Sequence, residues 1–230
     1  MNAALNDSPT SRVAIVTGGS RGIGRATVGL LAARDYAVVV NYLHDQQAAE
    51  SVTEAILASN GNAVAIRADV ADDLDVRRMF AETIAAFGGI DAVVHVAGGV
   101  IISSGVTEAG PGEFDDLVRL NLRATLVVNR QAARDLRDGG AIVNLSRSAG
   151  GSARPGPRLC LATKAAIEVL TRALALELRG RDITVNAVAP DVREPCAPDR
   201  VADVIAYLVS ADGHGLTGRV LRVGGPAGSP

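Results

Sequence analysis

Residues 13–24 read VAIVTGGSRGIG, from Val13 to Gly24. Val13 to Val16 is an apolar run of strand length and β-branched content. Thr17 to Gly24 then turns the chain into a helical pattern that continues to Arg34. This is a strand, a tight glycine turn and a helix start. Such a turn needs glycine because the backbone must bend with unusual dihedrals, approach a pyrophosphate closely and let the next helix lie near the sheet. The helix N-terminus adds free N–H groups and a positive dipole end. Gly18, Ser20, Arg21, Gly22, Ile23 and Gly24 are therefore candidate phosphate-loop residues of a dinucleotide site. Glycine spacing alone also arises in flexible loops. Its place between an apolar strand and an amphipathic helix favours nucleotide binding.

Outward from this stretch, strand and helix patterns alternate. Ala37 to Val40 is a second β-rich run, Gln46 to Ser59 a helix, Ala63 to Ala68 a strand, Asp72 to Phe87 a helix and Ala92 to Val96 a buried strand. Phe114 to Leu136 reads as one long helix with Leu117, Leu120, Leu122, Leu126 and Val127 apolar. Gly140 to Leu145 is a strand, Leu159 to Arg179 a helix, Ile183 to Val188 a strand and Asp199 to Val209 a helix, with a last strand inside Leu216 to Gly225. The alternation predicts an α/β fold, a Rossmann-type doubly wound parallel sheet of about seven strands with helices on both faces. No repeat or linker divides it, so residues 1–230 form one dinucleotide-binding domain with loose tails at 1–11 and 226–230.

Of the 230 residues, 48% are hydrophobic and only 3% aromatic, so Ala, Val, Leu and Ile must build the core. The 23 basic and 25 acidic residues are intermixed, which offers no surface for nucleic acid or an anionic membrane. No apolar run approaches membrane-spanning length, and Met1 to Ser11 has no signal pattern, so a cytoplasmic protein is expected. Cys160 and Cys196 lack metal-type pairing, and neither a metal site nor a disulfide is expected.

The spacing Gly18-x-x-x-Gly22-x-Gly24 behind Thr17 resembles the cofactor loop of the short-chain dehydrogenase/reductase family, in particular its 3-oxoacyl carrier-protein reductase branch. Later landmarks extend the resemblance over nearly the whole chain. It implies an oxidoreductase acting on a small-molecule or acyl carbonyl substrate. It also implies a homo-oligomer, tetramer or dimer, joined through the helices at 114–136 and 159–179, or a hetero-oligomer with an active homologue. An NAD-selective site presents an acid near the end of the second strand, but Asn41 and Tyr42 stand there. Arg21 in the glycine turn can meet a 2′-phosphate, so NADP(H) is favoured over NAD(H); otherwise Arg21 is a solvated loop charge. Asp69 and Val70 match the pair that receives the adenine, and Asp69 serves equally well as the N-cap of the next helix. Ala97 and Gly98 keep the turn that approaches the cofactor ribose. His95 and Val96 replace the family's two asparagines, and His95 reads as a packed core residue. Asn121 matches the helix asparagine whose backbone carbonyl holds a water of the proton relay; the plainer reading is a polar helix residue.

The resemblance fails where the chemistry belongs. The family's Tyr-x-x-x-Lys stacks two side chains one helical turn apart, so that the lysine reaches the nicotinamide ribose and lowers the tyrosine pKa. Lys164 is in place, and the tyrosine position is Cys160. The serine position is Arg147, unless a slip of one residue brings in Ser146 or Ser148. A thiol titrates near 8.5, an acceptable acid, but ends one bond beyond Cβ. Either a water bridges Cys160 to substrate or the acid is lost. Arg147 stabilises an oxyanion, binds an anionic ligand or forms a local ion pair. The family's Pro-Gly is Pro190-Asp191 here, and Val192-Arg193-Glu194 fills the region of its carboxamide-binding threonine; both Pro190 and Asp191 are expected at the cofactor. Pairing of Arg147 with Asp191 or Glu194 would plug the pocket. Pro195 to Pro198 runs almost directly into the next helix, so the substrate lid is deleted. Two outcomes are open: a reductase with an altered site of Asn121, Arg147, Cys160 and Lys164, or a non-catalytic reductase-like subunit.

Overall fold

The computed structural model describes residues 12–98, 107–147, 158–191 and 197–224, so both expected tails, 1–11 and 226–230, lie outside the described residues. Strands β1 (Val13–Thr17), β2 (Ala37–Tyr42), β3 (Ala63–Arg67), β4 (Ala92–His95), β5 (Ala141–Leu145), β6 (Thr184–Pro190) and β7 (Val220–Val223) form one sheet in the order β3-β2-β1-β4-β5-β6-β7. Every neighbouring pair is parallel. The winding reverses between β1 and β4, where Thr17 is in register with His95. In doubly wound sheets a ligand binds at such a reversal, outside the carboxyl ends of the strands.

The strands are apolar at successive positions because helices cover both faces. Ile15, Val39, Val93, Ile142 and Val185 face α3 (Asp73–Phe87), α5 (Ala124–Asp135) and α6 (Arg158–Glu177), meeting Met79, Phe80 and Val128. Val16, Val38, Val94 and Val143 face α1 (Gly22–Ala32), α2 (Gln46–Ala58) and α7 (Pro198–Leu208), meeting Leu31, Val52 and Ile205. Each such fully buried side chain contributes roughly 1.5–3 kcal/mol by leaving water. Among the described residues, no helix is long and apolar enough to cross a membrane.

Two expectations are corrected here. The stretch 114–136 is not one α-helix: α4 (Pro111–Leu117) passes into a π-helical turn over Val118–Arg123 before α5 begins. The Thr125 hydroxyl donates to the Asn121 carbonyl at 2.7 Å, a side-chain bond that competes with the regular backbone ladder at this widened turn. Asp69 is not the cap of α3. Asp72 is, accepting the N–H groups of Leu74 and Asp75 at 2.9 and 3.0 Å.

Candidate active site

The glycine turn is built to bring backbone against backbone. Gly18 adopts φ +65°, and a Cβ there would lie 3.2 Å from the Ala97 backbone. At Gly24 a Cβ would stand 2.1 Å from the Gly18 carbonyl oxygen, so only glycine lets α1 start this close to β1. Arg21 is the N-cap of α1, yet no side chain caps the helix, and its first turn holds no acid. Free N–H groups and an exposed guanidinium therefore share the mouth of the turn, a donor set that fits a dinucleotide phosphate. Ser20 is buried and Ile23 half-buried beside it.

Asn41 does something the sequence did not suggest. It is buried, accepts the Gly18 N–H at 3.3 Å and donates its amide to the carbonyls of Ile66 and Ala68 at 3.3 and 3.1 Å. Its side chain thereby ties the glycine turn to β3 and positions the loop. Tyr42 lies half-buried against the α1 side of the core. Asp69 accepts the Ala71 N–H at 2.9 Å and pairs with Arg119, while Val70 packs on the α3 side.

Across the winding reversal, Thr17 joins the two walls of the crevice. Its hydroxyl accepts the N–H groups of Val96 and Ala97, each at 3.1 Å, and lies 2.9 Å from Nδ1 of His95. His95 is 1% exposed and packed as expected, and burial followed by the nearby Lys164 charge pushes its pKa down to about 3.

The elements that carry the candidate catalytic residues Asn121 and Lys164 converge on Gly98. A Cβ built there would fall 2.8 Å from Asn121 Oδ1 and 3.0 Å from Lys164 Nζ, so β4, the π-helical turn and α6 meet at one point. Asn121 donates to the Thr163 hydroxyl at 3.1 Å, which ties the π-helical turn to α6 one residue before Lys164. Lys164 is 6% exposed and donates to the Leu145 carbonyl at 3.0 Å. Burial is the main cause that brings its pKa down to about 8; the Cys160 thiol opposes the shift and the Arg147 charge adds to it.

A slip to Ser146 does not rescue the serine. Ser146 N donates to the Val188 carbonyl at 2.8 Å, extending the β5–β6 ladder, and the Ser146 hydroxyl is directed to the Lys164 carbonyl and Glu168 at 3.1 and 3.0 Å. Ser148 lies outside the described residues. Arg147 is half-buried just beyond the end of β5. Among the described residues no ion pair or hydrogen bond engages its guanidinium, and the expected pair with Asp191 is not formed. Glu194 lies outside the described residues. Cys160 sits one helical turn before Lys164, is 0% exposed and forms no disulfide. Pro190 and Asp191 continue β6 toward β7, with Asp191 N donating to the Val223 carbonyl at 2.9 Å. Only seven residues, 191–197, join β6 to α7, and 192–196 of these lie outside the described residues.

A family model described as short chain dehydrogenase matches residues 12–196. The chain is 41% identical over 181 residues to versicolorin reductase 1 of Aspergillus parasiticus, covering 78% of this chain and 68% of that protein. It is 34% identical over 240 aligned positions to a 3-oxoacyl-acyl-carrier-protein reductase of Staphylococcus aureus, covering 94% and 97%. A short chain dehydrogenase of Burkholderia cenocepacia, solved in complex with NADP, superposes with a TM-score of 0.88 at 33% identity, covering 94% and 97%.

Proposed function

Because this chain belongs to the short-chain dehydrogenase family, we propose that it binds NADP(H) across the β1–β4 reversal and reduces a carbonyl compound, with Lys164 as proton donor in place of the absent tyrosine. The observation that carries this reading is the convergence of Asn121 and Lys164 on Gly98, at the end of a crevice whose other end is the uncapped start of α1. The NADP held by the Burkholderia relative and the lack of an acid at Asn41 and Tyr42 support the phosphorylated cofactor. When bound, the reduced nicotinamide supplies hydride to the carbonyl carbon.

The chain supplies the rest. The Lys164 ammonium has three donors, one of them committed to Leu145, which leaves two for the cofactor ribose and the carbonyl oxygen. A pKa of about 8 leaves the group charged at neutral pH while loosening its hold on the proton, as a general acid requires. Gly18, Ser20, Gly22 and Ile23 line the phosphate end with Arg21; Asp69, Val70 and Tyr42 border the adenine side; Ala97, Pro190 and Asp191 border the nicotinamide side. The β6–α7 connection is only seven residues long, too short for the lid helices that the family resemblance leads one to expect here. Protomers pair through α5 and α6, where Leu126, Val169 and Leu176 are 54%, 63% and 61% exposed, and the compartment is the cytoplasm.

One observation favours a second reading. The fully buried Cys160 thiol supplies no acid of its own, as in a reductase-like subunit that binds NADP(H) and assists an active homologue. NADPH consumption with carbonyl compounds, in wild type and Lys164→Gln, separates the two. Turnover lost in the variant supports the catalytic reading. No turnover in either, with NADPH bound, supports the second.

A further inference from the structure

We propose that Arg147 and Lys164 form a cationic pair that selects an anionic carbonyl substrate, a compound with a carboxylate beside its carbonyl, of which a 2-oxo acid is the simplest. This rests on the functional reading above and names its substrate class.

The two groups share one corner of the crevice. Lys164 Nζ donates to the carbonyl of Leu145, the residue two before Arg147 at the end of β5. Ser146 between them is turned away into α6, so the strand end presents Arg147 alone. Among the described residues nothing hydrogen-bonds or ion-pairs with the guanidinium. Of the neighbouring segments outside the described residues, 99–106 and 148–157 contain no Asp or Glu, and 192–196 contains one acid, Glu194. Arg147 also lies on the β5–β6 side of the winding reversal, away from β2, where a 2′-phosphate would be held.

Burial is the main cause that lowers the Lys164 pKa, and the Arg147 charge adds to it in the same direction, as two cations sharing one corner do. A neutral ligand would leave the half-buried guanidinium without a partner as water is displaced. A carboxylate satisfies it with a charge-assisted, bidentate hydrogen bond, leaving Lys164 to the neighbouring carbonyl oxygen. The step balances: the carbonyl carbon gains the hydride of a reduced nicotinamide dinucleotide, the oxygen gains the Lys164 proton, a 2-hydroxy acid leaves, and the amine takes a proton back from water.

The test uses oxamate, which carries the carboxylate beside a carbonyl and cannot be reduced, against oxamide, its neutral counterpart of similar size. NADPH binding is titrated first, then each probe is titrated by calorimetry into the NADPH-saturated protein, for wild type, Arg147→Gln and Arg147→Lys, with thermal melts reporting on folding. Oxamate binding roughly tenfold to a hundredfold tighter than oxamide, lost in Arg147→Gln and partly kept in Arg147→Lys, is the expected result. Bound NADPH with equal affinity for the two probes overturns this proposal and leaves the functional reading standing. Absence of NADPH binding overturns the functional reading. The probes titrated into the protein alone then decide the cation pair: a preference for oxamate supports it, and none overturns it.

Discussion

The Thr17 hydroxyl lies 2.9 Å from Nδ1 of His95 while accepting two backbone N–H groups. With its acceptor positions filled, it gives its own proton to Nδ1, so neutral His95 carries its hydrogen on Nε2. One hydroxyl thus joins the glycine turn to the Ala97-Gly98 turn. The histidine that orients this hydroxyl is held uncharged.

That arrangement makes the fold sensitive to acid. His95 titrates near 3 when folded, against 6.5 for the ordinary side chain. The unfolded chain therefore binds more protons between these values, and the stability present above pH 6.5 is lost as pH falls. Between pH 6 and 4 this one group removes up to about 1.4 kcal/mol per pH unit. Urea unfolding across that range should show a shallower slope for His95→Asn than for wild type. Parallel slopes would contradict the assignment.

Lys164 gives the opposite window. Its folded pKa of about 8 lies below the ordinary 10.5, so the unfolded chain binds the extra proton and the burial penalty is relieved as pH rises from 8 to 10.5. The acid, however, is lost above pH 8. Carbonyl reduction should fall about tenfold per pH unit there, and Lys164→Gln should lower it by roughly a hundredfold or more. A rate independent of pH from 7 to 10 would exclude Lys164 as the donor.

Two glycines of α1 should respond oppositely to alanine. At Gly24 the new Cβ would meet the Gly18 carbonyl at 2.1 Å, so Gly24→Ala should cost about 1–3 kcal/mol and abolish NADPH binding. At Gly29 no atom lies within 4 Å, and Gly29→Ala should stabilise by roughly 0.5–1 kcal/mol through helix propensity. Thermal melts of both variants check the pair.

Restoring the family residues should exchange one specificity for another. Cys160→Tyr with Arg147→Ser places a phenol a ring's length farther into the crevice and removes the cation. Reduction of neutral ketones should rise at least about tenfold, and the preference for anionic carbonyl compounds should disappear. A double variant less active on neutral ketones than wild type would mean that the scaffold no longer accepts the tyrosine chemistry.

The parts of this molecule legible in its sequence were those written in local pattern. The β-branched runs at 13–16, 37–40 and 92–96 follow directly from strands covered on both faces, and Gly18 and Gly24 from the close approach of β1 and α1. What escaped depends on where side chains spend their hydrogen bonds. Asn41 is a polar residue at a strand end in either role, and only its bonds to Ile66 and Ala68 show that it ties the loop to β3. The Phe114–Leu136 stretch keeps helical periodicity across its π-helical turn, so apolar spacing could not reveal the interruption at Asn121. Asp69 and Asp72 carry the same cap signal three residues apart, and geometry alone chose Asp72. Ser146 reads as a candidate serine from its place in the sequence, and only its hydroxyl's bonds to the Lys164 carbonyl and Glu168 show it turned into α6.

The most direct measurement is a fluorescence titration of the purified protein with NADPH and, in parallel, NADH. Saturable NADPH binding on the order of micromolar, about −8 kcal/mol, with clearly weaker NADH is the predicted result. Binding of neither cofactor would contradict the central claim that the crevice between Gly18 and Lys164 is a working dinucleotide site.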